Sequence, residues 1–183
     1  MSYSSRVLSL ARNRQAVRRF ADRRIPPDSL TRILECGCHA PSAKEAQPWR
    51  FVVVQDALTR HQIAAAAFNH PHVQTAPVLV LACARIHSHV SGNGRPSHPV
   101  DVAAATQSMV LAAADMGITA SWITGYREPA VRALLGIPND VPIVSILALG
   151  YPEGFEQLTA RRKREEVIAW ERWDERGGSA WRP

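Results

Sequence analysis

At 183 residues, 46% of them hydrophobic, the chain is long enough to bury a full apolar core and too short for two comfortable domains, so one domain, 1–183, is expected. A formal charge of +6 comes mostly from arginine, with lysine only at Lys44 and Lys163, and points to an anionic partner without naming it. No run approaches the roughly 20 apolar residues that span a bilayer. The first dozen residues lack a signal-peptide pattern, and the three cysteines form neither an even disulfide set nor paired Cys-x-x-Cys units, so a soluble cytoplasmic protein with buried structural thiols is expected.

In chain order, Val7, Leu8 and Leu10 suggest a first helix over 3–11. Pro26, Pro27 and Asp28 give the start signals of a second, which carries Leu30, Ile33 and Leu34 at helical spacing until Pro41 stops it. The stretch 40–48 reads as a loop, and the short β-branched run 49–54 as a largely buried strand. A third helix is expected over 57–68, a turn at His70, Pro71 and His72, and a second strand over 77–83. Gly, Ser, Pro and His dominate 86–99, which reads as a mobile loop, a lid or a dimer-surface segment. An alanine-rich helix follows over 100–116, its small side chains permitting close approach by another helix in the same subunit or across a dimer axis. Segment 118–123 reads as a strand, 129–135 as a helix and 143–149 as a further apolar strand. Alternating strands and helices suggest an α/β-like arrangement. The last thirty-odd residues carry Trp170, Trp173 and Trp181 with little local core to receive them, so 151–183 is expected to dock on a neighbouring subunit.

Four segments could carry chemistry. Arg14, Gln15, Ala16, Val17, Arg18, Arg19 and Phe20 crowd guanidinium groups that repel one another unless they share an anion, and a phosphate accepts bidentate bonds from two such forks. A solvated basic face would use the same residues. Pro41, Ser42, Ala43, Lys44 and Glu45 lie between a helix stop and a buried strand, where two prolines hold a backbone whose amides and short polar side chains could bond the edge of a planar heterocycle. A plain turn would need no more than the prolines. Thr124 and Gly125 follow a strand, and glycine there would let backbone amides approach a flat ring, or would simply make a turn. The run Arg161, Arg162, Lys163, Arg164 reads as a second phosphate clamp, a nucleic-acid patch or a solvated helix start. No aromatic residues interleave the basic clusters as base-stacking platforms would, so a small phosphorylated cofactor and not nucleic acid is the expected partner. The seven histidines lack carboxylates or cysteines at ligand spacing, so no metal is expected.

Taken in order, these pieces resemble the FMN-dependent nitroreductase family from about residue 12 to 173: the arginine-rich segment 14–20, the A-P-S-x-x-x-x-Q-P-W stretch 40–49, the alanine-rich helix running into W-I-x-G over 101–125, and the L-G-Y-P turn, basic pair and E-E-[VI]-[VI]-x-W over 149–170. The resemblance implies an α+β three-layer sandwich, a central mixed sheet flanked by helices, and a homodimer with FMN at the subunit interface. It implies that Arg14 and Arg18 contact FMN, with Gln15 and Ala16 beside them, and that Pro41, Ser42, Ala43, Lys44 and Glu45 reach the flavin from the other subunit. Thr124 and Gly125 would meet its N5 and O4 edge, while Arg161 and Arg162 close on the phosphate. The implied activity is NADH- or NADPH-dependent reduction of a nitroaromatic, quinone or similar oxidant, with ping-pong hydride transfer through flavin N5. No side chain is an obligatory acid or base; Arg18 and Lys44 would stabilise charge on the reduced ring. Two positions depart from the family, Ala16 in place of serine and Glu45 in place of asparagine. A carboxylate cannot donate to the flavin, so Lys44 is expected to face it and Glu45 to turn away. A flavin-consuming enzyme like those that make dimethylbenzimidazole, a non-catalytic FMN binder and a basic nucleic-acid binder are the alternatives.

Overall fold

The computed structural model describes residues 5–14, 17–85, 90–154 and 160–173. Among the described residues six α-helices and four strands follow one another as α1 (Arg6–Asn13), α2 (Pro27–Cys38), β1 (Trp49–Val54), α3 (Ala57–Ala66), α4 (Pro71–Gln74), β2 (Val78–Ala84), α5 (His98–Asp115), β3 (Thr119–Ile123), α6 (Glu128–Leu135) and β4 (Ile143–Gly150). Their starts follow local chemistry. Proline opens α2 with Asp28 in its first turn, and Asp56 caps α3 by accepting from the Thr59 amide at 2.8 Å. Gly136, left-handed at φ 62°, closes α6.

The strands form one sheet in the order β1-β2-β4-β3. All three pairings are antiparallel, which corrects the expected mixed sheet among the described residues. The mixed sheet was what the family resemblance implied, and continuous apolar strands such as β2 and β4 carry no alternation that would disclose pairing direction. Here both faces are covered instead by helices on either side of an antiparallel sheet. Leu79, Leu81, Ile146 and Ala148 point into a cluster with Ile63 of α3, Val73 of α4 and Val131 of α6. Val78, Val80, Leu147 and Leu149 pack on the opposite face against Leu30 and Ile33 of α2 and Met109, Val110 and Ala113 of α5. The architecture is α+β in three layers. The alanine-rich α5 packs on α2 of the same chain, and a Cβ added to Gly37 would lie 2.3 Å from Met109 Cε.

Other expectations shift. The turn at His70 to His72 is the short helix α4, with the two imidazoles stacked at 5.4 Å. Cys83 is buried as expected, whereas Cys36 and Cys38 on α2 are exposed, because Gly37 between them takes the face toward α5. In the 86–99 segment, residues 86–89 lie outside the described ones. Val90 and Pro96 bridge across a tight turn, with the Ser91 amide donating to Arg95 O at 2.9 Å. Among the described residues no helix is long and apolar enough to cross a membrane.

The topology sorts the candidate segments by sheet end. One end gathers the entry to β1, the exits of β2 and β3 and the entry to β4, tied by Arg85 N to Pro48 O at 2.8 Å and Ala84 N to Pro142 O at 2.9 Å. At the other end, the chain after α1 bridges Phe20 to Pro152 just past β4.

Candidate functional site

The stretch between α2 and β1 is a folded loop. A 3-10 turn spans Ala43–Glu45. Three of its non-glycine residues are left-handed, with Lys44 at φ 52°, Glu45 at 55° and Gln47 at 43°. Each such residue costs on the order of 1–3 kcal/mol and persists only where surroundings over-determine it, a pattern that gathers at functional sites. Those surroundings are visible. The Ala43 amide donates to Asp101 Oδ1 at 3.0 Å, the Gln47 amide to Ser42 Oγ at 2.9 Å, and the Glu45 and Ala46 amides to Ser42 O and Ala43 O, both at 3.1 Å.

This corrects one sequence expectation. The amides of Ala43, Glu45, Ala46 and Gln47 are committed within the chain, so what the loop offers outward is mainly side chains. Lys44 and Glu45 are exposed, Ser42 and Ala43 half-buried, and Pro41 exposed. Ser42 Oγ accepts from Gln47 but keeps its own proton to donate.

Thr124 and Gly125 are exposed at the exit of β3, at the same end of the sheet as this loop but on the opposite edge, three strand spacings or about 14 Å away. Gly125 is not left-handed, and a Cβ added to it would meet nothing within 4 Å, so neither the backbone nor the packing of this chain demands glycine there. The next residue anchors the turn, Tyr126 donating its hydroxyl to Ile143 O at 2.8 Å. Burial pushes the Tyr126 phenol up to about 12, with Glu128 adding to the rise.

The arginine segment is pinned by its apolar members. Val17 and Phe20 enter the core cluster on the α3 and α6 side, and the Phe20 amide donates to Thr75 Oγ1 at 2.9 Å. Burying those two residues turns Arg18 and Arg19 outward. Arg19 pairs with Glu153 at 2.9 Å, and the Glu153 amide returns a bond to Arg19 O at 3.0 Å. Arg14, which ends α1, is half-buried. Gln15 and Ala16 lie outside the described residues. Arg161 and Arg162 are exposed, as is every residue of 160–173.

A cleft of about 930 Å³ opens at the β4-exit end, lined by Arg23, Arg24, Arg60, Asp22 and Asp56 among others. Its lining includes none of the expected site residues that are described. Arg23 stacks over the Tyr151 ring at 3.7 Å, and Arg60 donates to Gln55 O at 3.2 Å and to Ala76 O, which gives both a structural role. The expected site residues that are described therefore lie outside that cleft. No group of three or more His, Cys, Asp or Glu among the described residues could hold a metal ion.

Asp101 escaped the sequence reading. It stood inside the matched helix segment, but an acidic residue in a helix's first turn reads simply as complementing the helix dipole. Only the fold reveals that it holds a loop nearly sixty residues earlier in the chain.

The family model described as Nitroreductase family matches residues 11–77 and 59–151. A Thermus thermophilus protein named NADH dehydrogenase is 30% identical over 87% of this chain and 93% of its own length. An Archaeoglobus fulgidus protein described as an NADH dehydrogenase/NAD(P)H nitroreductase is 32% identical over 80% and 85%. A solved structure of oxidized iodotyrosine deiodinase, bound to FMN and 3-iodo-L-tyrosine, superposes with a TM-score of 0.80 at 23% identity over 91% of this chain and all of that one, a likeness of fold.

Proposed function

Because this chain belongs to the nitroreductase family and is an NAD(P)H-dependent oxidoreductase, we propose that it carries FMN between two copies of itself and reduces a small nitroaromatic or quinone-like acceptor. In this reading the whole of 1–183 is one domain, 151–183 embraces the partner, and 86–99 lies over the open face of the flavin. The unpaired thiols Cys36, Cys38 and Cys83 suit a reducing cytoplasm.

The observation that carries the reading is the strained, clamped loop around Lys44, presented at the sheet end where β3 also opens its backbone. A loop that meets a ligand across a subunit boundary must hold its shape without that ligand's help, and four internal amide bonds do so. Three strand spacings, about 14 Å, separate the β1 and β3 edges that carry this loop and Gly125 within one chain, a gap that a second copy would fill in completing a pocket.

The donor set fits FMN. Arg14 and Arg18, with Arg161 and Arg162, supply forks for a phosphate dianion. Thr124 and Gly125 are exposed, and nothing lies within 4 Å of a Cβ added to Gly125, so a flat ring could approach there. Ser42 has a proton to donate, and Lys44 brings a cation. Bound FMN supplies hydride acceptance and donation at N5, from NADH or NADPH and then to the acceptor, the chemical basis of ping-pong kinetics. The protein's part is orientation and charge: Arg18 and Lys44 would stabilise negative charge developing on the flavin, an effect strongest where water is excluded. Glu45, acceptor-only when ionised, turns away from the ring.

Turnover with a nitroaromatic or a quinone, with FMN quantified by chromatography before and after, tests this directly. Acceptor reduction with FMN conserved is expected. Loss of FMN under oxygen with a new ring product would replace the reading with a flavin-consuming one.

A further inference from the structure

We infer that Asp101 is a positioning residue, whose buried carboxylate fixes where Ser42 and Lys44 stand by gripping the Ala43 amide; the inference rests on the reading that this loop meets the cofactor. Asp101 is 6% exposed and lies in the first turn of α5. Its Oδ1 accepts from Ala43 N at 3.0 Å, and its Oδ2 is buried with no hydrogen-bond partner among the described residues. A buried carboxylate with one oxygen unmet is costly, and the helix's N-terminal dipole offsets only part of that cost. The buried residues next to it on α5 do not call for a carboxylate, since Val102 and Ala105 are apolar and Thr106 donates its hydroxyl to Val102 O at 2.8 Å.

What the carboxylate achieves is local. It meets the loop one residue before Lys44 and one after Ser42. From Ala43 onward the chain turns left-handed at Lys44 and Glu45, so the direction of the Ala43 amide sets the direction of both side chains. The remaining amide bonds of the 42–47 turn, Gln47 and Glu45 to Ser42 and Ala46 to Ala43, close it on itself but do not tie it to the rest of the fold. Asp101 supplies that tie. Because α5 packs on α2 and on the sheet, the loop inherits the rigidity of the core.

The bond needs an acceptor, not a charge, and this makes it testable. Asp101→Asn keeps an oxygen for Ala43, whereas Asp101→Ala removes it. Hydrogen exchange at the Ala43 amide, measured without added flavin, should quicken roughly tenfold or more in Asp101→Ala and stay near wild type in Asp101→Asn. In FMN titrations the dissociation constant should rise about tenfold in Asp101→Ala and recover in Asp101→Asn, with the reduction potential of the bound flavin following the same pattern. Should Asp101→Ala fail to fold, Asp101→Asn decides alone: native exchange and affinity support the inference, and fast exchange with weak binding overturns it. Unchanged exchange in folded Asp101→Ala, or equal FMN affinity in both variants and wild type, also overturns it. If exchange behaves as expected while wild type binds no FMN, the clamp stands and the functional reading falls.

Discussion

Cys83 sits in the central strand at 1% exposure, and burial pushes its thiol from the ordinary 9.0 up to about 11. The folded chain therefore holds this proton after the unfolded chain has released it. Its contribution to stability is constant below pH 9.0 and is lost as pH rises from there toward 11, by about 1.4 kcal/mol per pH unit. At pH 8, iodoacetamide should modify Cys36 and Cys38 in the native protein and reach Cys83 only on unfolding; mass spectrometry of the labelled peptides reads this out. Gly150 makes a different demand. A Cβ there would lie 2.7 Å from both Phe20 Cδ1 and Pro77 Cδ, and neither a packed ring nor a proline can swing aside. Gly150→Ala should cost about 1–3 kcal/mol, seen as a lowered melting temperature in calorimetry.

Among the elements, the loop before β1 carries the most chemistry and showed the least of its form in the sequence. Its prolines marked a boundary, but nothing in Lys44, Glu45 or Gln47 favours φ near +50°, and the clamp that imposes it comes from Asp101, far along the chain. The bounds of strand β1 were legible, because five of its six positions are apolar and three of those are β-branched, but the largely buried strand expected is an outer one in which only Val54 is buried. The beginning of α2 was legible from its prolines, and α5 from its composition, although it starts at His98 where 100 was expected. Strand order and direction were not legible, since pairing depends on contacts distant in sequence and fully buried strands do not disclose their orientation. Lys44→Ala should weaken FMN binding about tenfold, and Glu45→Ala should leave it unchanged or tighter, as an ion-paired hydrogen bond is worth roughly 1.5–3 kcal/mol. Titration of each variant checks this, and the reverse order of effects would exchange the two roles.

At the scale of the whole molecule, one chain leaves surfaces that suit company. Val100 on α5 is 71% exposed and Trp173 is 88% exposed, and Val7, Trp122 and Trp170 add further apolar area. Exposed aromatic residues at the end of a chain are natural material for a subunit interface. Chains truncated after Gly154 should sediment as monomers and lose FMN together, because the arm is proposed to hold both the partner and Arg161 with Arg162. A flavin shared by two copies and reduced by a pyridine nucleotide underlies every role proposed for these residues. Sedimentation of the FMN-reconstituted protein, followed at the flavin absorbance, tests this most directly. Yellow colour should travel with a species of twice the 20.2 kDa chain mass and bleach on addition of NADH or NADPH, whereas a colourless monomer at saturating FMN would contradict it.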